Sequence, residues 1–335
     1  MRPRIAITMG DPAGVGPEVI VKGLSRAGVP GGAELLIVGS WVVIERVART
    51  HAPDLRLVRL ESAAEAPRRR GGEVAVLDVG SPEDVAVLPG KPDARTFLLA
   101  GRAVETAATL ALEGRVAAVV TGPLTKRAFA EIGSPHHGHT EYLAWRCGIE
   151  RFAMLFVQDD QRIVLATTHL PLSRVAGALS RERIETCVHL LVSALREDFG
   201  IDRPRVGVAG LNPHAGEGGL LGEEEETVIR PAVDGLAEQG LEVSRPHPAD
   251  TLFWHARRGD FDGVVAMYHD QALIPVKLSG PERAVNVTLG LPFVRTSVSH
   301  GTGFDVAGED RAEETSLAEA VNLAARMVVG RRTRT

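Results

Sequence analysis

The chain has 335 residues and a mass of 35.7 kDa, enough for one large or two ordinary domains. Hydrophobic residues make up 44% and charged residues 24%, the balance of a globular protein. With 43 acidic and 38 basic residues the net charge is −5, which excludes a polybasic face for nucleic acid or anionic lipid. Only four of the bases are lysines, Lys22, Lys91, Lys126 and Lys277, so each is worth weighing where it falls in a motif. Cys147 and Cys187 are too few for a disulfide scaffold or a thiolate zinc cage. No apolar run approaches the roughly 18 residues that cross a bilayer, and the short, polar N-terminus does not read as a signal peptide. A reduced, cytoplasmic protein is expected.

Short β-branched runs alternate with longer helical patterns, the rhythm of an α/β fold with a mainly parallel sheet. Residues 5–8 read as the first strand, followed by a helix with Pro17 in its first turn and Gly28 near its end. Residues 35–38 are the next strand. A helix over 98–113 is stopped by Gly114, and 116–121 is again a strand. Strands are expected at 163–167, 206–209 and 264–267. Between the first two of these, Ile184, Val188, Leu191, Val192 and Leu195 fall at helical spacing, with Ser180 as N-cap and Gly200 beyond the end. Leu317, Val321, Ala324 and Val328 mark one face of a last helix, and the tail from Arg331 should fray. The charge runs 68–70 (Arg) and 223–226 (Glu) read as solvated faces or helix starts.

Three histidines recur in one setting: His169, His214 and His269 each lie just past the C-terminal end of a buried strand. That rim is where open α/β sheets bind ligands. Neutral imidazoles suit zinc and neighbouring divalent metals, and three protein ligands leave positions open for water or substrate. Spacings of 45 and 55 residues exclude a local finger but suit three strand ends. On pattern alone a shared metal site and three ordinary hydrogen-bonded histidines both stand.

The turn Thr8 to Glu18 is glycine-rich and opens a helix, which favours an anion, though it lacks the G-x-G-x-x-G spacing. Thr121 to Lys126 follows a strand, and Lys126 is a candidate proton acceptor or a plain surface lysine. His139 and Thr140 offer an imidazole and a hydroxyl beside a turn. Lys277, Asn286 and Arg295 follow His269 at intervals of nine, a lysine, an amide and a guanidinium fit to hold phosphate or carboxylate if they converge. The glycine-punctuated stretch 299–308 could embrace a nucleotide or be a plain turn.

Together these motifs resemble the 4-hydroxythreonine-4-phosphate dehydrogenase family of pyridoxal phosphate biosynthesis. The likeness is carried by Met9-Gly-Asp-Pro-Ala-Gly-Val-Gly-Pro-Glu18, Gly138-His-Thr-Glu141, Thr168-His-Leu-Pro171, Leu211-Asn-Pro-His-Ala-Gly-Glu-Gly-Gly219, Ala266-Met-Tyr-His-Asp-Gln271 and residues 286–297, and it spans essentially the whole chain. The first turn and the loop His300-Gly…Asp305-x-Ala-Gly308 are also similar to isopropylmalate and isocitrate dehydrogenases. The resemblance implies their fold, two α/β/α lobes with a cleft, here 1–140 plus 290–335 and 141–289. It implies His169, His214 and His269 as ligands of one divalent ion (zinc, magnesium or cobalt). It further implies His139, Thr140, Lys277, Asn286 and Arg295 on the substrate, and His300, Gly301 and Asp305 on NAD or NADP. Asp270 joins Lys126 as a candidate proton acceptor. A homodimer with the active site at the subunit interface is implied.

The implied reaction oxidises 4-phosphooxy-L-threonine to 2-amino-3-oxo-4-phosphooxybutanoate, which loses carbon dioxide to give 3-amino-2-oxopropyl phosphate. One stretch departs from the family: Leu278-Ser-Gly-Pro-Glu-Arg-Ala284 stands where an aromatic residue and a glycine are usual, and Ser299 replaces a frequent aspartate. These changes leave a sister activity open, on 4-phospho-D-threonate or 4-phospho-D-erythronate. A phosphate acyltransferase-like enzyme is the more distant alternative.

Overall fold

A computed structural model describes residues 2–27, 33–62 and 73–332. Gly28 and the arginine run 68–70 lie outside the described residues. The chain forms two compact units, Met1–Glu150 with Leu291–Val329, and Arg151–Gly290 with Gly330–Thr335.

The first unit runs β1 (Arg4–Thr8), α1 (Gly16–Ala27), β2 (Glu34–Gly39), α2 (Trp41–His51), β3 (Arg56–Leu60), β4 (Glu73–Asp78), α3 (Ala94–Leu112), β5 (Ala118–Thr121), α4 (Lys126–Glu131) and α5 (His139–Arg146). The second contains β6 (Ala153–Gln158), β7 (Gln161–Leu165), α6 (Val175–Ala178), α7 (Arg181–Glu197), β8 (Arg205–Ala209), α8 (Arg230–Glu238), β9 (Glu242–His247), α9 (Ala249–Arg257), β10 (Gly263–Ala266), α10 (His269–Leu278) and β11 (Val285–Leu289). The chain then returns to the first unit for β12 (Val294–Ser297) and most of α11 (Thr315–Arg332).

In the first unit the strands lie in the order β3-β4-β2-β1-β5-β12, each neighbouring pair parallel. Strands β1, β2 and β5 are buried on both faces, which is why Ile5 to Thr8 and Leu35 to Val38 read as continuous apolar runs rather than alternating ones. The second unit orders β11-β6-β7-β10-β8-β9. Here β6 is antiparallel to both β7 and β11 within a sheet that is otherwise parallel, as expected, and the tight Asp159-Asp160 connection makes the β6–β7 pair possible.

Local signals held where side-chain chemistry forces them. The Ser180 hydroxyl accepts the Arg183 N–H at 3.2 Å at the start of α7, and Gly114 and Gly200 take the left-handed conformation that ends α3 and α7. The tail behaves differently from expectation. Helix α11 continues through Arg332 because the Arg331 guanidinium pairs with the buried Asp198 carboxylate.

Candidate active site

In the second unit the C-terminal ends of β7, β8 and β10 carry His169, His214 and His269. The His169 and His269 rings lie 5.7 Å apart between centroids. Two bonds fix that pairing: Thr167 N–H and Oγ1–H both donate to the Met267 carbonyl, at 3.1 and 2.7 Å. A buried glutamine makes the link to the third strand end. Gln271 accepts the Met267 N–H at 2.6 Å and donates to the Gly210 carbonyl at 2.8 Å.

Two of the three imidazoles are backed by a carboxylate. His269 Nδ1 lies 2.7 Å from Asp270 Oδ1, and His214 Nδ1 lies 2.8 Å from Glu217 Oε2. That partnership orients the ring and leaves Nε2 outward, the arrangement metal-ligating histidines use. The hydrogen bond and charge of Glu217 raise the His214 pKa above its ordinary value. Within one chain, however, the three imidazoles do not come within 4.8 Å of one another.

His214 stands on an unusual backbone. His214, Ala215, Gly216, Glu217 and Gly218 are consecutively left-handed, with φ of 53°, 53°, 79°, 46° and 68°. Each of the three non-glycine residues there costs about 1–2 kcal/mol relative to right-handed backbone. The run 223–226, expected to be a solvated face or a helix start, supplies the restraint, for Glu225 is 1% exposed and reaches back to this turn. The helix start expected in this run is there, and its first π turn, Glu225–Ile229, points the Glu225 carboxylate inward rather than to solvent.

Among the described residues, the one grouping of three metal-capable side chains within 4.8 Å is Glu18, His51 and Asp310, in the first unit. Lys22 already occupies it. Its ammonium lies 3.0 Å from Asp310, 3.4 Å from Glu18 and 2.9 Å from the Ala312 carbonyl, so a cation neutralises these acids without a metal.

The expected anion-binding groups divide between the units. In the first, Arg295 on β12 is buried and donates to Thr121 Oγ1 at 2.6 Å. Burial pulls its pKa down to about 10, against the opposing pull of Glu141. His139 opens α5; burial, and then the Arg295 charge, hold its pKa well below the usual histidine value. The ring is therefore neutral, and its buried Nε2 has no partner. Thr140 is buried beside it. In the second unit, Lys277 sits in the last turn of α10 and Asn286 on β11, where the buried Asn286 Oδ1 also lacks a partner.

The loop 299–308 docks on the glycine turn after β1. Val15 N–H donates to the Thr302 carbonyl at 2.9 Å, and Gly308 N–H donates to Glu18 at 3.3 Å. A side chain at Gly10, φ +74°, would lie 2.5 Å from the Pro123 carbonyl, which explains the glycine. His300 and Asp305 are exposed, and a Cβ at Gly301 would meet nothing within 4 Å, so a ligand has room over this loop.

Sequence reasoning passed over Asp11 in that turn. It is fully buried, its Oδ1 accepts the Ala13 N–H at 3.0 Å, and its Oδ2 has no partner. Burial raises its pKa from 3.8 to about 6. An aspartate inside a glycine-rich turn was the signal available.

Of the two candidate proton acceptors, Asp270 is engaged by the His269 ring, whereas Lys126 is exposed at the first residue of α4.

Comparison with known proteins gives a consistent relationship. A family model described as pyridoxal phosphate biosynthetic protein PdxA matches residues 32–324. The D-threonate 4-phosphate dehydrogenase of Salmonella typhimurium is 42% identical over 321 residues, covering 96% of this chain and 97% of that one. The 4-hydroxythreonine-4-phosphate dehydrogenase of Acidithiobacillus ferrooxidans is 43% identical over 330 residues, covering 98% of both. A crystal structure of 4-hydroxythreonine-4-phosphate dehydrogenase from Klebsiella pneumoniae superimposes with a TM-score of 0.89 at 41% identity, covering 98% of each chain.

Proposed function

This chain belongs to the pyridoxal phosphate biosynthetic protein PdxA family and is an oxidoreductase, and we propose that it is a metal-dependent, NAD- or NADP-linked dehydrogenase of a phosphorylated four-carbon hydroxy acid. The proposed substrate is 4-phosphooxy-L-threonine, with decarboxylation of its 3-keto product to 3-amino-2-oxopropyl phosphate. The observation that carries the reading is the pair of carboxylate-backed histidines at strand ends, His214 with Glu217 and His269 with Asp270. They fit a divalent ion such as zinc, magnesium or cobalt, with His169 as the third ligand. When bound, such an ion would supply positive charge that lowers the pKa of the substrate hydroxyl and steadies the negative charge on that oxygen before hydride leaves the carbon.

The remaining residues bind and orient. Arg295 offers a desolvated guanidinium to the substrate's phosphate or carboxylate, where its attraction is least screened. His139, held neutral, contributes Nε2 as a hydrogen-bonding group, and Thr140 a hydroxyl. Lys277 and Asn286 provide a further cation and an amide, so binding energy remote from the reacting carbon fixes its position. Asp270 and Lys126 are the two candidates to take the proton. His300, Gly301 and Asp305 hold the nicotinamide dinucleotide over the loop that docks on the glycine turn.

A homodimer with shared active sites accounts for the separation of the three histidines in one chain. Each is followed by exposed apolar side chains: Leu170 and Leu172, Leu220 and Leu221, Ile274 and Leu278. Two of these, Leu220 and Leu278, are 80% and 82% exposed, which fits a surface that a second copy covers.

A second reading within the family, oxidation of 4-phospho-D-threonate or 4-phospho-D-erythronate, is favoured by the changed stretch 278–284 between Lys277 and Asn286 and by Ser299. The test is NADH or NADPH formation by the purified protein on each of the three acids. Highest kcat/KM on 4-phosphooxy-L-threonine supports the leading reading. Highest kcat/KM on either other acid selects the second, and no reduction of either dinucleotide on any of them overturns both.

A further inference from the structure

We infer that Glu225 is a positioning residue that holds the left-handed turn carrying His214 in a metal-binding conformation. This deepens the proposed function and rests on His214 being a metal ligand.

The Glu225 carboxylate, buried in the second unit, is consumed by that turn. Its Oε1 accepts two successive backbone N–H groups, Leu211 and Asn212, each at 2.7 Å. Its Oε2 accepts the Asn212 amide at 2.9 Å, and the same amide nitrogen lies 2.7 Å from Glu224 Oε2. Three donors on the approach to His214 thus end on one anion, two of them backbone groups that no helix or strand partner satisfies there.

The surrounding sequence leaves room for this clamp. A Cβ on Gly216 would stand 2.6 Å from Glu225 Oε2, and one on Gly222 would stand 2.2 Å from the Asn212 amide nitrogen. Gly216 and Gly222 also have φ of +79° and +140°. Gly216 therefore serves the carboxylate as well as the turn, and Gly222 leaves room for the Asn212 amide that the carboxylate holds. Five left-handed residues in succession do not persist without such a restraint. With the carboxylate in place, His214 and its partner Glu217 are set before a metal arrives, which lowers the ordering cost of binding.

The carboxylate touches no substrate or metal, so the readout is metal affinity rather than turnover. Zinc is titrated into metal-stripped protein, with a chromophoric chelator as competitor, for the wild type, Glu225→Gln, Asn212→Ala and His214→Ala. Thermal unfolding of each metal-free protein is recorded in parallel. Loss of a group that orients a metal ligand typically weakens metal binding ten- to a hundredfold. Glu225→Gln, which sets an amide donor against the Asn212 amide, is expected to weaken zinc in about that range. Asn212→Ala keeps both backbone bonds and should weaken it less, and His214→Ala should abolish tight binding.

If Glu225→Gln lowers the melting temperature yet its folded form binds zinc as the wild type does, the inference is overturned and Glu225 is structural only. If Glu225→Gln does not fold, Asn212→Ala decides: an affinity loss of a few-fold or more supports the inference, and unchanged affinity contradicts it. If His214→Ala binds zinc like the wild type, the underlying reading of the metal site fails instead.

Discussion

Asp11 shows how a single residue in a site differs from one chosen for stability. Its carboxyl sits at zero exposure with one oxygen unpartnered, and burial raises its pKa from 3.8 to about 6. The folded chain therefore binds that proton more tightly than the unfolded chain. Below pH ~4 both forms are protonated and the group costs nothing. Between pH ~4 and ~6 the unfolded chain releases its proton first, so stability falls as pH rises. Above pH ~6 the full cost, on the order of 3 kcal/mol, persists. Asp11→Asn, which keeps the acceptor for the Ala13 N–H, should raise the unfolding free energy by up to that amount at pH 7.5 and by almost nothing at pH 4. Urea unfolding at the two pH values checks this; an equal change at both would show that Asp11 carries no such cost. Arg295 tells a similar story with opposite charge, a buried cation that the proposed function assigns to the substrate's anionic group.

At the scale of elements, the strand ends that carry the histidines are held by side chains reaching over from helices. Arg183, in the first turn of α7, donates to the carbonyls of Phe152 and Ala166 at 2.8 Å each and of Leu165 at 3.4 Å. It thereby ties β6 to β7 just before His169. Arg183→Met preserves much of the stem but strands these acceptors, and it should lower the unfolding free energy by about 2–3 kcal/mol in chemical denaturation. A loss under half of one kcal/mol would mean that the carbonyls find other partners.

The elements differ in how legible they were. The strands at 5–8, 35–38 and 264–267 were readable because burial on both faces writes a continuous apolar run, and α7 because its cap and its apolar spacing agree. The rim position of the three histidines followed from the strands expected at 163–167, 206–209 and 264–267. The left-handed turn at 214–218 was hidden, since its glycines announce freedom but not direction. Glu225 was hidden too, since a glutamate in an acidic run reads as solvated until a π turn is known to bury it. The antiparallel pairing of β11 with β6 escaped because it joins segments far apart in sequence.

At the scale of the molecule, the residues proposed for function fall in both units: the second bears the three histidines with Lys277 and Asn286, and the first bears Arg295, His139, Thr140 and the loop 299–308. No described helix is long and apolar enough to cross a membrane. The proposed homodimer, in which a second copy covers the exposed leucines beside the histidines, predicts that light scattering on the eluted protein gives twice the chain mass of 35.7 kDa. A monomer at micromolar concentration would remove the explanation for the separated histidines.

The central claim is that these strand-end histidines make the oxidation metal-dependent. It is tested most directly by stripping the purified protein with a chelator, removing the chelator, and titrating zinc, magnesium or cobalt back while following NADH or NADPH formation on the preferred acid. The account predicts loss of nearly all turnover in the stripped protein and recovery proportional to occupied sites, reaching a plateau at one ion per chain. Undiminished turnover by protein shown to be metal-free would contradict it.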